Sequence, residues 1–232
     1  FSNGADLTSS DVLYTIKRML TYEKAVNDDI YDMIKGAQDV VDGKATELTG
    51  FEIIDDYNFA ITLEEPYGAF LACLTTPGAS IFDEETTEQA GDQFGIDPSV
   101  TIGTGPFTFY GWEFNSELVL AANKDYWDGA PVCEGLILKV IPDEATARMM
   151  FENGELDILD MDFNSSQLEY FLNNDTYKDQ IVSGARVGVY YVMLNEKFTE
   201  LSDARVRKAL QYSIDRQAIL DTLYAGLGEL EN

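Results

Sequence analysis

The pattern of apolar and polar positions along the first half of the chain predicts a mixture of helices and hairpins. Over residues 8–20 apolar side chains recur every three or four positions, and Thr8 with Asp11 forms a capping box at the start. The same period predicts a second helix over residues 27–41. Residues 51–54 and 59–63 flank a polar turn and predict a β-hairpin. Shorter helices are expected near residues 70–74 and 83–92.

Residues 102–112 mark the expected change of direction in the middle of the chain. Two close glycines and Pro106 precede alternating aromatic residues, so a strand should begin near Pro106 with Phe107, Phe109 and Trp112 on one side. Residues 118–121 predict its neighbour, joined through a turn at residues 115–116. From these residues alone, an ordinary loop that enters an ordinary strand is the simpler interpretation.

The second half of the chain predicts an α/β arrangement. Residues 136–141, 144–153 and 156–159 have the pattern of strand, helix and strand, which is typical of a β-α-β unit with parallel strands. A short helix is expected over residues 167–172 and a strongly β segment over residues 187–194. Continuous apolar periodicity from Ala204 to Leu223 predicts one last helix.

The strongly negative net charge makes nucleic acid and anionic membrane surfaces unfavourable partners. The chain has 42 acidic and 15 basic residues, and its formal net charge of −27 repels nucleic acid and anionic lipid. Such acidity is typical of a protein that stays soluble outside the cell, and it also suits attraction of cationic ligands. No apolar run approaches the length of a membrane span, so we expect a soluble mature chain. The chain opens without a methionine or a signal peptide, and we expect it to be part of a longer protein.

Several kinds of chemistry are excluded by residue type. The chain contains no histidine, which excludes a Ser-His-Asp triad, a Cys-His dyad and histidine-bound metals. Residues 160–166 resemble the start of a calcium loop, but Ser165 and Phe171 stand where that loop needs glycine and glutamate. Cys73 and Cys133 lack metal or redox spacing, and a disulfide between them is left open. We predict no metal and no cofactor.

Several motifs occur in an order that resembles one family, the extracellular solute-binding proteins of oligopeptide, dipeptide and nickel ABC importers, known as family 5. The clearest are GTGPF at residues 103–107, NKDYW at 123–127, GELD at 154–157 and DARVRKAL at 203–210. Further matches are FSNG at 1–4, LTSSDV at 7–12, residues 36–37, 43–44, 55–57, 63–67 and 194–195, and IDR at 214–216.

The resemblance implies a periplasmic-binding-protein-like fold of type II, in which two lobes close on a ligand and one lobe carries an extra small α+β domain. Residues 1–101 would be part of that extra domain, 102–189 an α/β segment of the first lobe, and 190–232 the start of the second lobe. The N-terminal strands and most of the second lobe, where the main ligand-charge partners of the family usually lie, would be missing from this internal fragment.

The implied function is non-catalytic: capture of a peptide or another small solute outside the cell and delivery to an ABC permease in the membrane. The location would be extracellular or periplasmic, with a lipidated N-terminus outside this fragment as anchor. A signalling-peptide receptor of the same fold is the alternative. Acidic residues are so abundant that a carboxylate-dependent glycosidase is not excluded by counting them.

The resemblance also implies which residues contact ligand. The cleft floor in such folds is lined where strands cross between lobes, so Gly188, Tyr190 and Tyr191 are expected contacts, together with Tyr22 from the extra domain. Side chains alternate along a strand, so only one of Tyr190 and Tyr191 would face the cleft. Packing of both tyrosines in a core or an interface is the competing interpretation.

Overall fold

A computed structural model describes residues 1–26, 28–162, 164–184 and 188–230. It divides the chain into two compact units, Phe1–Val140 and Ile141–Asn232. The first unit contains α1 (Ser9–Thr21), a 3-10 turn (Asp28–Tyr31), α2 (Ala37–Val41), β1 (Phe51–Asp55), β2 (Asn58–Ile61), α3 (Phe70–Cys73), α4 (Glu84–Ala90), β3 (Phe107–Glu113), β4 (Glu117–Ala122) and β5 (Gly135–Lys139). The second contains α5 (Glu144–Glu152), α6 (Leu168–Leu172), α7 (Thr199–Ser202), α8 (Ala204–Ser213) and α9 (Arg216–Leu223). The domain limits predicted above follow the lobes of the resembled family and stay a prediction.

The start of α1 is as predicted and is tied to α4. The amide and the hydroxyl of Thr8 donate to Asp11 Oδ2 at 2.8 and 2.9 Å, and the amide of Glu84 donates to Asp11 Oδ1 at 3.2 Å. The apolar face of α1 then packs into the main core of the first unit. The fully or nearly buried members of this core are Ile16, Leu20, Tyr31, Ile34, Ala37, Val40 and Leu48.

The predicted helix over residues 27–41 is wrong in its middle. Residue 27 lies outside the described residues, and beyond it a 3-10 turn and α2 replace one continuous helix. Gly36 separates them with a left-handed φ of +81°, and a Cβ at this position would come within 2.4 Å of Thr49 Oγ1. Ile34 also forms a β-bridge with Leu63. The chain therefore turns here instead of continuing as a helix.

The predicted hairpins are confirmed. β1 and β2 pair antiparallel, and β3, β4 and β5 form an antiparallel sheet in that order. The register of β3 against β4 shifts between Phe109 and Gly111, so that Trp112 lies opposite Leu118 while Phe109 lies opposite Leu120. This bulge brings Trp112 to the same side as Phe107 and Phe109, as predicted, although the interval between Phe109 and Trp112 is odd.

Two turns of the sequence meet at the entry to β3. Asn123 donates its side-chain amide to Gly105 O at 3.0 Å and its backbone amide to Pro106 O at 2.8 Å. The amide of Ser2 donates to Gly103 O at 2.9 Å. The GTGPF segment is thus fixed from two sides, by the NKDYW segment and by the first residues of the chain.

The predicted parallel β-α-β unit is wrong. The first strand and the helix form, as β5 and α5, but β5 pairs antiparallel with β4. Residues 156–159 form no strand with any described part of the chain, and Ile158 is 83% exposed. An apolar run gives only the propensity for a strand; the strand itself needs a partner for its amides and carbonyls.

The predicted long helix at residues 204–223 is divided into α8 and α9. Asp215 lies between them and accepts a hydrogen bond from the amide of Ala218 at 2.9 Å, which caps a new helix. Cys73 and Cys133 are both free thiols. In the described part of the chain, no helix combines the length and the hydrophobicity that crossing a bilayer requires.

Candidate binding site

The strand that was expected to cross between the lobes contains three of the four predicted ligand contacts, Gly188, Tyr190 and Tyr191. It does not form a strand in this structure. It was expected over residues 188–194, and Val187, which begins the predicted β segment, lies outside the described residues. Residues 188–194 have no regular secondary structure and no strand partner among the described residues. A strand needs a hydrogen-bonded neighbour, and none of the described segments provides one.

This segment, residues 188–194, is nevertheless apolar and exposed. Tyr190 and Tyr191 are 74% and 73% exposed, and Val189, Val192 and Met193 are exposed to a similar degree. Neither tyrosine is packed into a core of the second unit, so the core interpretation has no support within that unit. Which of Gly188, Tyr190 and Tyr191 contacts ligand stays a prediction.

Tyr190 has one aromatic neighbour that the sequence did not indicate. Its ring centroid lies 5.4 Å from that of Tyr224, which follows α9, with the two planes tilted by 40°. The two residues are far apart in the sequence, so no local pattern predicts their contact. The pair holds Tyr190 beside α9 while its ring remains accessible.

Tyr22 lies in the first unit, on a groove of about 1020 Å³. The floor of the groove is the outer stripe of α1, which includes Leu13, Tyr14 and Lys17. Residues of α4 and the turn after it form one wall, namely Glu84, Thr87, Glu88, Gly91 and Asp92. The opposite wall consists of small and apolar residues, namely Val40, Gly43, Ala45, Thr46 and Ile53. We call this feature the α1–α4 groove.

Arg18 fixes the position of Tyr22 in the α1–α4 groove. Its guanidinium carbon lies 4.3 Å from the ring centroid of Tyr22, 5.5 Å from that of Phe82 and 5.9 Å from that of Phe94. These distances fall within the range of cation–π attraction. The three rings surround the cation and hold it at the end of α1.

Tyr14 connects the floor of the groove to its acidic wall. The Tyr14 hydroxyl donates to Glu88 Oε1 at 2.7 Å. Burial, followed by this hydrogen bond, raises the pKa of Tyr14 well above its ordinary value. The phenol therefore stays protonated and acts as a hydrogen-bond donor rather than as an acid or a nucleophile.

The second unit has a hollow of about 690 Å³ beside α6. Arg148 lies over the ring of Tyr170 at 4.5 Å and donates to Gln167 Oε1 at 3.0 Å. The Tyr170 hydroxyl donates to Glu152, and this hydrogen bond raises the pKa of Tyr170. Arg148 Nε is buried without a hydrogen-bond partner and lies 4.0 Å from Glu152 Oε2.

Metal binding finds no support in the described ranges. Among the described residues, no group of three or more cysteine, aspartate or glutamate side chains is arranged to hold a metal ion. The calcium-like segment includes Phe163, which lies outside the described residues. Asn164 in that segment is buried and donates its side-chain amide to Asp160 O at 2.7 Å, but its side chain does not cap the 3-10 turn that follows.

Comparison with known proteins finds relatives along the whole chain. The chain is 29% identical over 231 residues to the periplasmic oligopeptide-binding protein OppA of Salmonella typhimurium, covering 95% of this chain and 41% of the relative. It is 27% identical over 233 residues to heme-binding protein A of Haemophilus influenzae, covering 98% of this chain and 41% of that protein. The chain thus spans about two fifths of the length of these relatives.

A solved structure agrees in fold. The crystal structure of a periplasmic oligopeptide-binding protein from Borrelia burgdorferi matches with a TM-score of 0.79 and 27% identity, over 96% of this chain and 45% of that one. The fold-class prediction is therefore confirmed: the chain has part of a periplasmic-binding-protein fold. The family model described as "Bacterial extracellular solute-binding proteins, family 5 Middle" matches residues 1–232. The chain belongs to the bacterial extracellular solute-binding proteins of family 5, a family of binding proteins.

Proposed function

We propose that the protein containing this chain is the solute-binding component of an ABC importer. It captures peptides or similar small solutes outside the cytoplasmic membrane and delivers them to a membrane permease, without catalysis. The observation that carries the proposal is the family match along residues 1–232, supported by relatives named for oligopeptides. The relative named for heme shows that the family also includes a protein for a different small molecule.

The segment of residues 188–194 suits main-chain recognition. Its valine and tyrosine residues favour an extended backbone. It has no strand partner in the described chain. A bound peptide supplies main-chain donors and acceptors that are the same whatever its side chains, so such a segment can accept peptides of varied sequence. The exposed ring of Tyr190 or Tyr191 would cover the peptide and exclude water.

Capture and delivery require two conformations. In the proposed mechanism the solute binds the closed form better than the open form and shifts the equilibrium toward closure. The closed form then docks on the permease and releases the solute there. Anchoring through a lipidated N-terminus, outside residues 1–232, would keep the protein at the membrane.

The test is isothermal titration of the complete protein with a set of short peptides, and then with single-residue variants. We expect the alanine variant of whichever tyrosine faces the cleft, Y190A or Y191A, to lose at least about tenfold in affinity, as for an aromatic contact residue. The phenylalanine variant at that position should retain most of the affinity. Tyr212, which is 79% exposed on α8, provides the matched control Y212A.

Melting temperature distinguishes contact from support. Tyr190 and Tyr191 are largely exposed, so neither alanine variant should lower the melting temperature by more than Y212A does. Wild-type affinity in both Y190A and Y191A would overturn the assigned contact. Turnover of a bound solute would contradict a non-catalytic role, and peptide binding without import in a cell assay would indicate a signalling receptor instead.

A further inference from the structure

The α1–α4 groove has an acidic wall in which two carboxylates have a helical spacing. Glu84 and Glu88 are one turn apart on α4, a separation of about 6 Å along the helix, and Asp92 follows after Gly91. All three carboxylates are exposed. Alternate side chains of an extended peptide are about 6.6 Å apart. The spacing of Glu84 and Glu88 therefore fits two cationic side chains at alternate positions of an extended segment, and Asp92 is available to a further cation.

The groove also leaves hydrogen-bonding capacity unused. Thr87 lies on the same wall between the two glutamates and is only 2% exposed, yet its Oγ1 has no hydrogen-bond partner. A buried hydroxyl without a partner is unusual because the desolvation cost is not offset. Thr87 lines the groove, so an occupant can use this hydroxyl only where the wall shifts to expose it.

Shape and charge indicate what kind of occupant fits. The stripe from Ser10 to Thr21 is about 17 Å long, the length of about five extended residues. The groove is open to solvent, with Tyr22 38% and Ile53 44% exposed on its sides. A free small solute normally needs an enclosed site that buries most of its surface. A segment held in place by the rest of a partner protein does not.

We propose that the α1–α4 groove docks an extended, lysine- or arginine-bearing segment of a partner protein. The cations lie along Glu84, Glu88 and Asp92, and the small residues between them lie against the apolar wall that contains Ala45. The chain's net charge of −27 favours encounter with such a segment. This surface lies within the first unit and is separate from residues 188–194.

Lys17 allows a test in which removal of a charge should strengthen binding instead of weakening it. It lines the same groove and repels a cationic occupant, whereas Arg18 is already surrounded by Tyr22, Phe82 and Phe94. Neutralising an acid of the wall should weaken binding, and neutralising Lys17 should strengthen it. A nonspecific attraction to the acidic protein as a whole would not depend on which carboxylate is removed.

The experiment measures fluorescence anisotropy of a labelled heptapeptide that alternates lysine and alanine, titrated with the 232-residue chain. Variants E84Q and D92N should each raise Kd about two- to fivefold, the range of exposed charge pairs. K17Q should lower Kd by a similar factor. The matched control is E85Q on the same helix, which removes the same charge outside the groove and should leave Kd unchanged.

One further peptide and further variants test whether binding depends on the charge of the peptide and on the groove itself. A peptide with glutamate in place of lysine should not bind, and A45W, which fills the groove from its apolar wall, should abolish binding of the lysine peptide. Equal losses in E85Q and E84Q, or no gain in K17Q, would overturn the proposal. Circular dichroism of each variant verifies the fold. Y190A should bind the heptapeptide like the wild type, so failure of the proposed solute site and failure of this groove are distinguishable.

Discussion

Gly50 is a position at which an added methyl group should clearly destabilise the first unit. Three main-chain segments meet there: the Gly50 amide donates to Lys35 O at 2.8 Å, the Thr62 amide to Gly50 O at 2.7 Å, and the Lys35 amide to Thr62 O at 2.9 Å. A Cβ on Gly50 would lie 2.6 Å from Thr62 O, 2.7 Å from Lys35 O and 2.8 Å from Lys35 N. All three atoms belong to the backbone, so no change of rotamer relieves the contacts.

The cost of Gly50→Ala follows from these distances. Normal separation of such atoms is about 3.5 Å, so the segments must move apart by roughly 0.7–0.9 Å. Overpacking of this kind costs about 1–3 kcal/mol, and weakening the shared hydrogen bonds adds about 0.5–1.5 kcal/mol each. We expect Gly50→Ala to lower the free energy of unfolding by about 3–5 kcal/mol.

Gly68→Ala is the matched control for this prediction. A Cβ on Gly68 meets no atom within 4 Å, and its φ lies outside the left-handed region. That substitution should be neutral or stabilise by up to about 1 kcal/mol, because alanine restricts the unfolded chain. Urea unfolding followed by the fluorescence of Trp112 and Trp127, both in the first unit, measures the difference. Unfolding free energies of the two variants within about 1 kcal/mol of each other would refute the reasoning.

Two further predictions concern the same unit. Asp11→Ala should lower the unfolding free energy by about 2–4 kcal/mol, because it leaves the amides of Thr8 and Glu84 without their acceptor. The control Asp6→Ala, at an exposed position, should change the unfolding free energy little. Equal effects of the two substitutions would contradict the assigned cap. Burial raises the pKa of Tyr31 from 10.0 to about 12, so its stabilising contribution is complete below pH 10 and is lost as the pH rises through 12. Tyr31→Phe should therefore lose less stability than the wild type between pH 9 and pH 11.5 in urea titrations, and identical losses would contradict this.

Local signals in the sequence predicted the elements that depend on neighbouring residues. The capping box at Thr8 and Asp11 and the turns that close the two hairpins involve atoms only a few residues apart, and all of them form. The two helices whose continuity was wrongly predicted also contain local signals for a break. A glycine such as Gly36 is typical of a helix break and an aspartate such as Asp215 of a new N-cap, but the two helices were predicted from apolar periodicity alone.

Pairing between distant segments was harder to predict. Residues 156–159 and 188–194 have strong β composition, yet neither is paired within the described chain. Composition determines whether a segment can be a strand, whereas a partner determines whether it is one. The α1–α4 groove has the same character, because its walls come from α1, α4 and residues 40–53, which only the folded chain brings together.

The unpaired segment at residues 188–194 has a consequence for the behaviour of the chain in concentrated solution. Residues 189–193 carry no charge and pair with no strand in the part of the chain that the structure describes, which makes them a template for self-association with the same segment of a second copy. Mutual repulsion between copies of charge −27 opposes this contact. At about 1 M salt the screening length falls to about 3 Å, so the repulsion disappears and the hydrophobic attraction remains. We therefore expect this chain to aggregate more at high salt than at low salt.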